Sequence, residues 1–208
     1  MVDIESTIME STVASDLNRR IAERVRELRA GQALSLEALA SKSGVSRSMI
    51  SVIERGESSP TAVVLEKLAA GLGVMLASLF DAPAAKGPAS RNPVARRGEQ
   101  PQWRDPASGY LRRNVSPPGV PQPMQIVEVQ FPAGGRVAFE NGARDVRVHQ
   151  QVWVLDGAID VILGTERHRL REGDCLAMEL DRPTIFHNPT RKPARYAVVI
   201  ASEGAARR

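Results

Sequence analysis

The stretch from Leu36 to Gly56 restricts the fold more than any other part of the chain. It reads as a short helix, a tight turn and a second short helix. Leu39, Ile50 and Ile53 are apolar where two crossed helices must meet, and Ala40 is small where they cross closely. Gly44 stands at the turn, where a residue with positive φ ends the first helix at little steric cost. Ser35 and Ser46 stand at the two helix starts, where a hydroxyl accepts an otherwise unpaired backbone N–H.

That packing leaves Arg47, Ser48, Ser51 and Arg55 facing outward. Short hydroxyls let a helix approach a duplex closely, and arginine can pair bidentately with guanine. The first turns of such a helix reach base edges in the major groove. The segment from Asp16 to Phe80 resembles the helix-turn-helix domain of the phage-repressor (Xre-type) regulators. The resemblance runs through Gly44-Val45-Ser46, Ile53-Glu54-Arg55-Gly56, Ser59-Pro60-Thr61 and Ala70-Gly71-Leu72-Gly73-Val74. It implies double-stranded DNA as partner, with contacts from Ser35, Ser46, Arg47, Ser48, Ser51 and Arg55. The glutamine that usually opens the first motif helix is Leu36 here, which leaves Ser35 the phosphate role at that helix N-terminus. The resemblance also pairs Glu54 with an arginine of the first helix, here Arg29, so that the acid does not repel phosphate.

The flanking residues extend the motif to a five-helix domain over 16–81. Leu17, Ile21, Val25 and Leu28 recur at helical spacing up to Gly31, and Ser59-Pro60 reads as a cap followed by proline at the first helical position. The next helix carries Val64, Leu65, Leu68 and Leu72 inward, and Met75 to Phe80 reads as a short closing helix. Residues 1–15 are polar and mildly acidic and read as a flexible arm. They lack the basic start and apolar core of a signal peptide, and the most apolar stretch, Gly71 to Phe80, is far too short to span a bilayer.

With 208 residues, the chain has room for two cores. Its formal net charge of +4 suits an anionic partner, though weakly. A single cysteine excludes an intramolecular disulfide framework and fits a reducing cytoplasm. Between Ala82 and Gln102 four prolines alternate with Ala, Gly, Ser and Arg, so 82–102 reads as a semi-extended linker. Its Arg91, Arg96 and Arg97, with Arg104 just beyond, are either a solvated charge run or extra phosphate contacts.

From Trp103 to residue 203 the texture is all-β, with 204–208 as a tail. Expected strands are Gln125–Phe131, Val146–Leu155, Ala158–Leu163, Arg167–Leu170, Cys175–Leu180, Thr184–His187 and Arg195–Ala201. Asp156-Gly157 is a two-residue hairpin signal, and many short antiparallel strands argue for a jelly-roll barrel. The region Gly109 to Ala201 resembles the cupin family at Pro132-Ala133-Gly134-Gly135, Val152 to Gly157, Leu170 to Asp174, and Asp181-Arg182-Pro183 leading to Asn188-Pro189. A repressor-type domain followed by one such barrel resembles a group of bacterial transcription regulators.

Cupin enzymes hold a divalent metal with a His-x-His pair, a Glu and a later His. Residues 137–141 contain no histidine, the Glu place is Gln150 and the later His place is Thr184. These are poor ligands for iron, manganese or zinc, so neither a metal nor another cofactor is expected. Gln150, Val152, Val154 and Thr184 would line either a small-molecule pocket or a filled core with the amide bonded to backbone. Cys175 reads as a buried structural thiol, with a redox sensor as the alternative, and Trp153 as barrel packing or a dimer contact.

These readings describe a cytoplasmic, dimeric, sequence-specific DNA-binding regulator on a near-palindromic operator, with no enzymatic activity and a metal-free barrel for dimerisation or effector sensing. The alternatives are a metal-dependent cupin enzyme with a DNA-binding appendage and an antitoxin-like interaction protein.

Overall fold

The computed structural model describes residues 4–80, 92–118, 120, 123–141 and 147–202, with side chains from residue 17 onward. Four α-helices come first: α1 (Ile4–Gly31), α2 (Leu36–Ser43), α3 (Arg47–Glu54) and α4 (Ala62–Gly71). The segment expected as a fifth helix is a 3-10 turn, Leu76–Phe80. With only five residues there is no length for an α-helical ladder, and the tighter turn suffices to bury Leu76, Leu79 and Phe80. Helix α1 begins at Ile4, far ahead of the expected boundary at Asp16. Nothing between Ile4 and Asp16 is glycine or proline, so the turns packed through Ile21 and Val25 propagate backwards.

Helix α4 starts two residues later than expected. Thr61, not Ser59, caps it, with an extended backbone and its hydroxyl accepting the Val64 N–H at 3.4 Å. Ser59 instead accepts a hydrogen bond from the Asn18 amide at 2.7 Å. Gly44 closes α2 at φ +67°, and Leu39, Ile50 and Ile53 are fully buried at the crossing of α2 and α3. Gly71 of α4 lies so close to Ser43 that an added Cβ would stand 2.8 Å from the serine Cβ.

The chain resumes with a 3-10 turn at Arg97–Glu99 and ten strands: β1 (Gln102–Arg104), β2 (Leu111–Asn114), β3 (Met124–Phe131), β4 (Arg136–Phe139), β5 (Val148–Asp156), β6 (Ala158–Leu163), β7 (Glu166–Arg171), β8 (Cys175–Glu179), β9 (Thr184–His187) and β10 (Ala194–Ser202). The expected linker is therefore ordered over its last part. Arg91 lies outside the described residues, as do 81–90, Val146 and the tail. Sheet order is β1-β2-β3-β10-β5-β8 facing β4-β9-β6-β7, all antiparallel, a jelly-roll sandwich. Strands β1, β2 and β4 are short and carry few alternating apolar residues, which is why sequence pattern passed over them. Val127, Val129 and Phe131 point into the sandwich, as the alternation of β3 requires.

The two domains share one core. A chain of aromatic rings runs from Phe80 through Trp103, Tyr110, Phe131 and Tyr196 to Phe186, with successive centroids 5.8–6.1 Å apart. Edge-on and stacked pairs at this spacing are favourable beyond the area they bury. Lys67 of α4 pairs with Glu140 at 2.7 Å, which adds a polar contact to the boundary.

Candidate nucleic-acid interface

Helix α3 is held at both faces. Ser46 accepts the Met49 N–H at 3.2 Å, and Ser35 does the same for Ala38 at 3.0 Å on α2. Both hydroxyls thus act as acceptors within the fold; Ser35 keeps its own proton for an outside acceptor such as phosphate, while Ser46 Oγ also lies 3.2 Å from Ser48 Oγ, where either hydroxyl can donate. Ile50 and Ile53 anchor the inner face, and Arg47, Ser48, Ser51 and Arg55 line an open groove with Leu36 and Val52. Helix α2 borders the groove through Leu36, where no side-chain polar group is available. Met49 is 44% exposed beside Ser48, and sequence reasoning passed over it. Its position one residue before the buried Ile50 was the available signal, since a neighbour on a helix is turned about 100° away.

The cations on this face differ in how they are held. Arg47 makes one solvent-exposed contact with Glu37 at 3.3 Å, a pair worth little and easily exchanged for phosphate or a base. Arg55 is gripped: its Nη1 donates to Ser51 at 2.6 Å, and Nε and Nη2 donate to Glu57 at 2.8 and 2.7 Å. The hydrogen bonds hold the Arg55 guanidinium above its ordinary range and the Glu57 carboxyl below its own. Behind α3, Arg29 and Glu54 form a two-point pair at 2.6 and 2.7 Å, and Arg29 also donates to the Leu34 carbonyl at 2.8 Å. The Glu54 hydrogen bond raises the Arg29 pKa above its usual value. Glu54 is thereby turned inward, and its charge is cancelled beside the groove.

In the sandwich, the residues at the cupin ligand places do not fit a transition metal. Gln150 faces a cavity, while Thr184 is buried and accepts a hydrogen bond from Asn141 at 3.0 Å. Among the described residues no three of His, Cys, Asp and Glu come together in a metal-binding group. Gln150 shares its cavity, of about 70 Å³, with Arg112, Asn141, Phe186 and, from the helical domain, Glu66 and Met75. Val152 and Val154, expected to line the pocket with it, are fully buried in core packing instead, and Thr184 lies outside the lining too. Of β5, only Val148 and Gln150 at its start line the cavity, together with Glu66, Met75 and Leu76 of the helical domain. Cys175, expected to be buried, is exposed: it starts the edge strand β8 opposite Trp153 on the outer face.

A capped helix whose outer face is polar and basic, set by a glycine turn against a second helix, is a helix-turn-helix arrangement, here joined to a jelly-roll sandwich. Residues 25–79 match the helix-turn-helix family model. The chain is 27% identical over 173 residues to the HTH-type transcriptional regulator SutR of Escherichia coli (strain K12), covering 83% of this chain and 89% of that protein. The crystal structure of an HTH_3 family transcriptional regulator from Vibrio cholerae superposes with a TM-score of 0.72 at 25% identity, over 90% of this chain and 98% of that one. These similarities extend through both domains, so the chain has the organisation of a helix-turn-helix transcriptional regulator. No helix among the described residues is long and apolar enough to cross a membrane.

Proposed function

We propose that the chain is a cytoplasmic, non-enzymatic regulator that binds DNA sequence-specifically as a homodimer and senses a small molecule through its sandwich. The single observation that carries the reading is the groove-lining face of α3, with Arg47, Ser48, Ser51 and Arg55 displayed around a helix capped by Ser46. Arg47 and Ser48 read bases, Ser51 follows one turn on and Arg55 about two, and Ser35 and Ser46 meet phosphates. The exposed Met49 adds an apolar contact of the kind that meets a thymine methyl group.

Dimerisation runs through the outer face of the six-stranded sheet. Met124, Ile126 and Trp153 are exposed there, and the register places them on one face with Ala197, Val199 and Ala201. Twofold pairing offers two copies of α3 to one duplex, with half-site centres about 34–36 Å apart or a multiple of that, and so a near-palindromic operator. Sequencing of genomic fragments recovered on the full chain tests the reading. Enrichment of a palindromic motif with that spacing supports it, and recovery of fragments with no shared sequence rejects it.

A further inference from the structure

Among the described residues, three buried side-chain polar atoms lack a hydrogen-bond partner: Nη2 of Arg112, Oε1 of Gln125 and Oδ1 of Asp160. Asp160 is flanked by the cations Arg167 and Arg169 and by the His187 ring. Gln125 does not border the cavity between the domains, whereas Arg112 does. Arg112 is only 7% exposed; the Tyr110 side chain hydrogen-bonds to it, and Nη2 is left without a partner. Its Nε donates to Asn114 Oδ1 at 3.3 Å, and the guanidinium lies 5.6 Å from the centre of the Phe80 ring. An arginine nitrogen left unpaired in a buried setting costs free energy unless something reaches it.

The cavity around it narrows the chemistry. Its walls are largely apolar: Val129, Val198, Ile200 and Phe186 from the sandwich, with Met75 and Leu76 from the helical domain. The polar groups are few, the amides of Gln150 and Asn141, the Tyr110 and Tyr196 hydroxyls and the Glu66 carboxylate. The Glu66 carboxylate on the same wall already offsets part of the Arg112 charge and opposes a doubly charged phosphate or sulfate, so the unpaired Nη2 takes at most a singly charged acceptor. The volume of about 70 Å³ holds on the order of five water-sized positions, room for a compact occupant of a few carbon atoms.

We propose that this cavity is a carboxylate site: a compact monocarboxylic acid binds with its carboxylate on Nη2 of Arg112 and its carbon skeleton against Val129, Phe186 and Ile200. The inference rests on the reading of the sandwich as a sensor and supplies its ligand class. Burial pulls the Arg112 guanidinium below its ordinary pKa, and the charge of a bound carboxylate offsets that desolvation. Because Glu66, Met75 and Leu76 line the same space, the acid touches the DNA-binding domain as well as the sandwich.

Calorimetric titration of the full chain with propionate, butyrate and pyruvate, against propionamide and butyramide, tests it. The acids bind at one per chain, and the amides bind about tenfold more weakly or worse, as a lost charge-assisted hydrogen bond requires. Arg112→Gln abolishes the preference for acid over amide. Val129→Phe, which fills the cavity and leaves Arg112 in place, blocks the acids even if Arg112→Gln does not fold. Heat from none of the three acids, equal binding of acids and amides, or unchanged acid binding by Val129→Phe overturns the proposal. Operator binding measured on the same sample separates the two readings. DNA binding without acid binding removes the carboxylate site alone, and acid binding without DNA binding removes the regulator reading alone.

Discussion

The Asp105 carboxylate, just beyond β1, accepts the backbone N–H of Ala62 at 2.8 Å, so the sandwich supplies a capping group to the first turn of α4. Its other oxygen accepts the Ser108 N–H at 2.7 Å, which fixes the loop that presents it. A negative charge at a helix N-terminus also meets the positive end of the helix dipole. Asp105 is almost fully buried, so the contact is shielded from solvent and couples the orientation of α4 to the sandwich.

Asp105→Ala leaves the Ala62 N–H buried without a partner. The expected loss is about 1–3 kcal/mol, seen as a lower denaturant midpoint. Asp105→Asn keeps an acceptor and loses less. Equal midpoints for wild type and Asp105→Ala would show that this capping contact does not stabilise the junction of the two domains.

The Arg29–Glu54 pair gives a second stability prediction. Both side chains are well shielded, with 17% and 8% of their surfaces exposed. Glu54→Ala strands the Arg29 guanidinium with only the Leu34 carbonyl, at a cost of about 3 kcal/mol, the low end for a broken buried pair. Glu54→Gln keeps one acceptor and falls between the two. A Glu54→Ala protein that unfolds at the wild-type midpoint would mean that the pair positions α3 without stabilising it.

What the sequence could convey follows the range over which each interaction acts. Local devices read correctly because each needs only a few neighbouring residues: the Gly44 turn, the caps at Ser35 and Ser46, and the strands Ala158–Leu163 and Thr184–His187. Non-local ones did not. Ser59 looked like the cap of α4, but Asn18 of α1 claims its hydroxyl and Asp105, 43 residues downstream of Ala62, takes over the first turn. Arg112 sits in a Leu-Arg-Arg-Asn strand that reads as polar surface, and only the approach of Phe80 and the helical domain buries it. The cavity was sought along β5 by alternation, which correctly turned Gln150 inward. Alternation tells which side of the sheet a residue faces but not how far along a strand a cavity extends, and so Val152 and Val154 were placed beside a space they do not reach.

The dimer reading predicts a monomer from one substitution. Trp153 is 49% exposed on the outer face of the sheet, so Trp153→Arg leaves the fold intact and puts a charge into an apolar contact. Sedimentation of the variant is expected to show a single chain where the wild type shows two. Operator affinity falls steeply with it, since two half-sites no longer bind together. Cys175, paired with Trp153 across the strands, reacts with a thiol reagent more slowly in the dimer than in the variant. A Trp153→Arg protein that still sediments as a dimer would move the interface elsewhere.

Base reading and phosphate attraction separate by salt and by sequence. Arg47 makes only an exposed contact with Glu37, so Arg47→Ala does not disturb the fold. On DNA it is expected to cost about 1–3 kcal/mol at the matched operator and far less on a site altered at the base pair it reads. Arg97, exposed in the turn before β1, stands for the linker arginines proposed to meet phosphates. Arg97→Ala is expected to weaken matched and altered sites alike and to reduce the slope of log affinity against log salt by about one, if that arginine touches a phosphate. Competition binding at several salt concentrations measures both quantities. The assignment of α3 as the reading helix fails if Arg47→Ala lowers affinity for every sequence equally, because that is the signature of a phosphate contact.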